Sequence, residues 1–353
     1  MKNIKLDLPF FPIEQPGGTF YYTKIPGKHI KDRLIIRNRS KYEDGVQRDL
    51  NKSRTHEISE YLSLADAVIP TPLVISVNLK NIKELDSNTI TLHTDEDGIF
   101  GEIIDGQHRY EGLKKSKNFE ESDIPICIFA ELSLEDKADI FSTINSTQVK
   151  VPKSYIYDLF DYTEENTPIK FCHEVCKTLN YDSSGPLFRR IKMLGKKLND
   201  EETLSQAAFI DALLPLITKN IKEDTARARN RDNLENDSEV PLRHLYISNN
   251  ITAFSKITTN FLRATRNASG ANWENYVLRS IGIKVFARLL GHMAPEGFKN
   301  NSLTIDFFFN RLSKIEDIIL SCSTKSGTNK GVEDKTVETL ITALSHNPPL
   351  NNS

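Results

Sequence analysis

The hydrophobic patterning of this chain changes character near Ser154. Ahead of that point, short β-rich runs alternate with helical patterns: Leu73-Val74-Ile75-Ser76-Val77-Asn78-Leu79, Ile99 to Ile104 and Ile124 to Phe129 read as strands. Beyond it strand signals nearly vanish, and apolar residues recur at helical spacing in 154–162, 168–179, 204–219, 242–264, 273–290 and 303–320. Two patterns segregated in this way predict an α/β domain over 1–150 followed by an all-helical domain over 151–353. The length of 353 residues suits two domains of about 100 to 200 residues each.

Local signals refine the reading. Residues 1–30 carry Pro9-Phe10-Phe11-Pro12, Gly17-Gly18 and Phe20-Tyr21-Tyr22, which suit extended segments and turns packed as an arm on the α/β domain. Asn51 can cap a helix over 52–64 in which Ile58, Tyr61 and Leu62 share a face, and Pro70 and Pro72 end that element. Asp95-Glu96-Asp97-Gly98 reads as a hairpin-type turn leading into the next strand. Ser133-Leu134-Glu135-Asp136 is a capping box ahead of a helix with Leu134, Ala138 and Phe141 on one face. In the second half, Lys222 to Glu239 and Ser323 to Lys335 are polar, charged and read as mobile loops.

Composition excludes several classes. With 38% hydrophobic and 27% charged residues the chain should fold. The 46 Lys and Arg against 48 Asp and Glu, a net charge of -2, argue against bulk electrostatic coating of nucleic acid, so any such contact is a local patch. Cys127, Cys172, Cys176 and Cys322 are too few and too irregular for a disulfide framework, which points to a reducing compartment. No apolar run approaches the ~18 residues of a membrane span, and Met1 to Phe11 lacks the continuous apolar stretch of a signal peptide. The expectation is a cytoplasmic protein with no membrane partner.

The stretch that most suggests chemistry is Gly101-Glu102-Ile103-Ile104-Asp105-Gly106-Gln107-His108-Arg109-Tyr110-Glu111-Gly112-Leu113, a buried strand running through a glycine into a helix. Such a junction aims backbone N–H groups and the positive end of a helix dipole at whatever lies above it, which is how anions are held. Gly106 permits close approach, and His108 and Arg109 add donors suited to phosphate oxygens. A plainer alternative has Asp105 capping the helix, His108 packing and Arg109 pairing with a carboxylate. Against it, Gln107, His108 and Arg109 are consecutive on one turn and cannot all face a core.

The run Asp105-Gly106-Gln107-His108-Arg109 resembles the signature of the DGQHR-domain family, which includes DndB-like and DpdB-like proteins of DNA-modification systems. Val46-Gln47-Arg48-Asp49-Leu50-Asn51-Lys52-Ser53-Arg54 resembles the family's upstream Q-R-x-L-N-x-x-R segment, and Phe141 to Gln148 followed by Val151-Pro152-Lys153-Ser154 resembles its downstream stretch. The order of helix, proline-led strand, G-x-x-R helix, strand and helix is similar to the wider ParB/sulfiredoxin superfamily, whose G-x-x-R turn holds nucleotide phosphates. Asn145 to Gln148 falls where ParB proteins carry E-N-x-x-R, but Ile144 replaces the acid and no arginine follows Gln148. Sulfiredoxin chemistry is set aside, because Gln107 stands where a nucleophilic cysteine is required. The resemblance covers roughly residues 30 to 160.

Two further groups gain meaning from it. Gln47, Arg48, Ser53 and Arg54 gather near a helix start and suit phosphate or DNA-backbone contact, or an ordinary solvated helix end. Asn145, Thr147 and Gln148 could close a nucleotide pocket with side-chain amides, although Asn145 alone also suits a helix C-terminus. Arg189, Arg190, Lys192, Lys196 and Lys197 form the densest basic stretch, with Arg227, Arg229 and Arg231 a second; each is a candidate DNA contact or a solvated face. Cys172, His173 and Cys176 invite a zinc reading, but no second Cys or His pair follows at ligand spacing, and packing is preferred. Tyr155, Tyr157, Phe160 and Tyr162 alternate too tightly to share one face.

The resemblance implies a ParB/sulfiredoxin-like α/β domain and a component of a bacterial DNA-modification or anti-phage defence system that binds a nucleotide or a DNA phosphate. The expected ligand is ATP or another nucleotide with Mg²⁺, hydrolysed through Asp105, His108 and Arg109, with Gly106 and Gln107 among the phosphate contacts and no resident metal. The alternative is a non-catalytic DNA-binding transcriptional regulator, as DndB likeness implies. ParB-like nuclease action is the weakest of the three, because no carboxylate set has two-metal spacing. DNA and other proteins of the system are the expected partners, and a homo-oligomer is compatible with this reading.

Overall fold

A computed structural model describes residues 3–64, 67–116, 118–147, 151–322 and 330–346, and the chain divides into two compact units, Met1–Val149 and Lys150–Ser353. The first is built on strands β1 (Lys5–Gln15), β2 (Gly18–Pro26), β3 (Leu34–Ile35), β4 (Leu73–Val77), β5 (Ile82–Asp86), β6 (Thr89–His93), β7 (Gly101–Asp105) and β8 (Asp123–Ala130). They form one sheet in the order β3-β7-β4-β8-β2-β1-β6-β5. Its helices are α1 (Gly27–Ile30), α2 (Lys52–Leu62), α3 (Gln107–Lys115) and α4 (Leu134–Thr147).

The centre of the sheet is covered on both faces, and the pleat shows how. Strand β4 lies parallel to β8 and antiparallel to β7, and all five of its residues are buried. Ile75, Ile103, Ile126 and Ile128 face one cluster with Tyr110 and Leu113 of α3 and Ile58 and Leu62 of α2. Val74, Ile104 and Cys127, one residue out of step, face Phe141 and Ile144 of α4. Gly112 lets α2 and α3 approach, since a Cβ there would lie 2.6 Å from Ile58 Cγ2.

Two expectations are corrected here. The N-terminal segment is not an arm on the surface: β1 and β2 form a hairpin with Gln15 opposite Gly18, and it enters the sheet through β2–β8 and β1–β6 pairing. The Asp95–Gly98 turn is compact, with Ile99 N–H donating to Asp95 Oδ1 at 2.8 Å, but it joins β6 to β7, which are not paired. The β5–β6 hairpin went unread because β5 is mostly exposed and carries no apolar alternation.

The second unit is helical: α5 (Lys153–Asp158), α6 (Pro168–Tyr181), α7 (Gln206–Leu213), α8 (Ile221–Asn230), α9 (Arg243–Ile247), α10 (Ile251–Ser269), α11 (Ser280–Lys299), α12 (Ile305–Leu312), α13 (Glu316–Cys322) and α14 (Lys330–His346). A two-residue parallel pair, β9 (Ile191–Lys192) and β10 (Leu204–Ser205), interrupts the helices. Phe171, Phe209, Phe254, Phe286 and Phe308 are core residues. The stretch 222–239 is not a loop throughout: Asn220 caps α8, and Asp224 on that helix holds Arg243 with contacts of 2.7 and 2.9 Å. Residues 330–335 likewise begin α14, while 323–329 lie outside the described residues. Among the described residues no helix is long and apolar enough to cross a membrane.

Candidate phosphate-binding site

Strand β7 ends at Asp105, and Gly106 turns the chain into α3 with φ +98°. A Cβ at that position would also lie 2.6 Å from Leu73 Cδ2 and 3.1 Å from Arg109 Nη2, so the junction needs glycine both for its dihedral and for space. Arg109, on the first turn, folds back over it. Its Nη2 donates to Asp105 Oδ2 at 2.6 Å. Its Nη1 reaches Thr71 O at 2.7 Å, Thr71 Oγ1 at 2.6 Å and Pro72 O at 2.9 Å. Arg109 therefore clamps the segment entering β4 to the end of β7, and the plainer pairing with a carboxylate is the arrangement seen. Asp105 does not cap α3; Gly106 holds the N-cap position.

His108 joins the two helix starts. The N–H of Asn51, the N-cap of α2, donates to His108 Nε2 at 3.0 Å, so the neutral ring carries its proton on Nδ1. Burial, and then the nearby Arg54 and Arg48 guanidinium groups, hold His108 below the usual imidazole range, with Asp105 opposing them. The N-termini of α2 and α3 thus open on one cleft of about 750 Å³.

Arg48, Asn51, Arg54, Gln107, His108 and Asn145 supply its polar lining, and Ile58, Val74, Phe141 and Ile144 its apolar walls. Arg48 donates to Asn145 Oδ1 at 3.3 Å. Among the described residues, neither Arg48 nor Arg54 has a carboxylate within ion-pair distance. Of the two carboxylates of the lining, Asp105 is paired with Arg109, whereas Asp49 accepts a hydrogen bond from the Ser40 hydroxyl and keeps its charge. Arg48 and Arg54 against the one remaining carboxylate, Asp49, leave the cleft net positive in a partly apolar, concave setting, which is an environment for an anionic ligand. Gln107 is 6% exposed and its Oε1 has no partner among the described residues.

Of the residues singled out in the sequence, Asp105 to Arg109, Gln47, Arg48, Arg54 and Asn145 are brought together. Gln47 is a correction in kind: it is 1% exposed and its amide nitrogen bonds the β7 carbonyls of Ile103, at 3.2 Å, and Ile104. It pins the loop that presents Arg48 and does not reach for a ligand. Ser53 bonds Glu57 Oε1 at 3.2 Å on the exposed side of α2, away from the cleft. The side chain of Thr147, and Gln148, lie outside the described residues. Sequence reasoning missed Asp49, Thr71, Phe141 and Ile144 as lining. Phe141 and Ile144 share a face of α4 at i and i+3, a spacing that could have disclosed them.

The DNA-sulfur modification-associated family DndB matches residues 8–280. The chain belongs to the DndB family. The DndB match spans every cleft residue and runs on through α10, well past the motifs of the first unit. It associates the protein with DNA-sulfur modification. Comparison with curated proteins and with solved structures returns no match.

The basic stretch of this DndB chain is not a helix. Residues 188–190 form a turn, 191–192 are β9 and Met193–Gly195 is a 3-10 turn, with Arg189 and Leu194 at positive φ. Arg190 pairs with Glu274 at 3.0 Å and Lys197 with Asp200 at 3.0 Å. Arg189, Lys192 and Lys196 have no ion pair among the described residues. Cys172 and Cys176 are core residues whose thiols burial pushes up. His173 is buried between Asp161 Oδ1 at 2.8 Å and Gln206 Nε2 at 2.9 Å. Tyr157 is buried with its hydroxyl on Asp211, whereas Tyr155 and Tyr162 are exposed.

Proposed function

We propose that this DndB-family protein binds a nucleotide by its phosphates in the Arg48–Arg54–His108 cleft, and that this binding serves DNA-sulfur modification and the phage defence built on it. The observation that carries the reading is the pair of arginines without carboxylate partners, set in a cleft onto which two helix N-termini open. The apolar walls from Val74, Phe141 and Ile144 favour a nucleotide over a bare DNA phosphate, because a backbone phosphate needs no apolar cleft beside it. In this reading the N-terminal unit is a ParB/sulfiredoxin-like module, and Arg189, Lys192 and Lys196 supply DNA-backbone contacts.

The chain's own groups set the terms for hydrolysis of ATP. Arg48 and Arg54 hold phosphate oxygens, neutral His108 offers its Nδ1–H, and Arg109 positions the turn. Asp49 and Asp105 are the hard oxygen donors available to a Mg²⁺ ion brought with the nucleotide. Asp105 would serve only after its pairing with Arg109 loosens.

The test is nucleotide binding and phosphate release with ATP, GTP and CTP plus Mg²⁺, with and without DNA, for the intact protein and Arg54→Ala. Arg54 is exposed and has no ion pair among the described residues, so its loss should weaken binding about tenfold, the worth of one charge-assisted contact, with the melting temperature unchanged. Absence of binding to every nucleotide would sink this reading and leave the DNA-binding regulator. That reading predicts duplex affinity that falls steeply with salt.

A further inference from the structure

We propose that the helical unit carries a second anion site, a cavity beside the start of α11 that takes phosphate groups. The cavity has a volume of about 780 Å³ and is lined by Arg279, Lys284, Arg288 and Lys330. Its two carboxylates are already committed. Asp211 accepts from Lys153 Nζ at 2.7 and 2.9 Å and from the Tyr157 hydroxyl at 2.8 Å. Glu333 lies 3.4 Å from Arg288, which also holds Asp334 at 2.6 Å. Arg279, Lys284 and Lys330 are left with no ion-pair partner among the described residues.

Arg288 faces both Glu333 and Asp334, so Arg279, Lys284 and Lys330 exceed the remaining carboxylate charge by two, and like charges lining one concavity repel one another unless an anion sits among them. The backbone adds to the same field. Arg279 is the N-cap of the twenty-residue α11 and offers no side-chain acceptor to its first turn. Thr203, also in the lining, has a hydroxyl with no partner among the described residues. A guanidinium and two ammonium groups beside a helix N-terminus together match the oxygens of a phosphate or a short run of phosphates, whether from a nucleotide or from a DNA backbone.

The proposal is independent of the cleft at Gly106 and is tested with that cleft disabled. The full-length chain carrying Arg48→Ala and Arg54→Ala is titrated with tripolyphosphate by calorimetry and with a short DNA duplex by fluorescence anisotropy, before and after adding Arg279→Ala and Lys284→Ala. At least one probe should bind the first protein and lose about tenfold or more in affinity in the second. Tripolyphosphate alone would identify a nucleotide-type ligand; the duplex alone, with a salt slope reduced by the added substitutions, would identify DNA. Binding weaker than about 1 mM for both probes, or affinities that the added substitutions leave unchanged, would overturn the proposal. If the quadruple variant melts lower, Arg279→Gln alone, at an exposed position, reads the same loss.

Discussion

Arg109 and Arg54 are both arginines at the edge of the cleft, yet they are placed for different work. Arg109 makes four contacts, to Asp105, Thr71 and Pro72, and removing it strands a half-buried carboxylate. Arg109→Ala should therefore lower stability by about 1 to 3 kcal/mol, read as a drop in melting temperature. A variant that melts like the parent would refute the clamp. His108 gives a second prediction. Its pKa is held below the unfolded value of 6.5 by burial and by Arg54 and Arg48, so the unfolded chain takes up the proton first on acidification. Its contribution to stability is complete above 6.5 and is lost as pH falls below that value. The parent should lose more stability than His108→Asn between neutral pH and the onset of carboxylate titration, followed by chemical denaturation at each pH.

At the scale of the element, the β7–Gly106–α3 junction decides whether the cleft exists. The residue there must adopt φ +98° with no room for a Cβ beside Leu73. Gly106→Ala should therefore cost about 1 to 3 kcal/mol in backbone strain alone and weaken ligand binding as well, since the α3 N-terminus shifts. An Ala variant with unchanged melting and unchanged affinity would count against the junction's role. The Ser133–Asp136 capping box forms as read: Asp136 N–H donates to Ser133 Oγ at 3.1 Å, and Ser133 N–H to Asp136 Oδ2 at 3.2 Å. It fixes the start of α4 and so the register that puts Phe141 and Ile144 on the sheet.

At the scale of the molecule, the helical unit depends on one buried ion pair in addition to its apolar core. Arg243 and Asp224 have side chains only 9% and 7% exposed, and the Thr218 hydroxyl completes the carboxylate's shell. Burial pushes the Asp224 carboxyl up, but the hydrogen bonds from Arg243 and Thr218 outweigh it and hold the group below the usual range. Its stabilisation is present above the unfolded value of 3.8 and is lost as pH falls through the depressed one. Asp224→Ala leaves a buried guanidinium unpaired and should cost about 3 to 5 kcal/mol, measured as the shift of the denaturation midpoint. A cost below the range of ordinary surface changes, about 0.5 kcal/mol, would refute that dependence.

Local rules were enough for part of this. The helical second half, strands β4, β7 and β8, the α2 and α4 caps and the Gly106 turn were legible because each rests on spacing or on neighbours within a few residues. The family signature placed Asp105 to Arg109 near Arg48, Arg54 and Asn145. What the sequence left open is which polar groups are free. Whether Gln47 serves a ligand or the carbonyls of β7, whether Arg109 meets a phosphate or Thr71, and whether Arg190 is a DNA contact or the partner of Glu274 depend on residues 38 to 84 positions away. Periodicity identifies a charged side chain, but only the tertiary structure brings its counter-charge within reach. That pairing separates Arg48 and Arg54, still open to a ligand, from Arg109, already occupied by the fold.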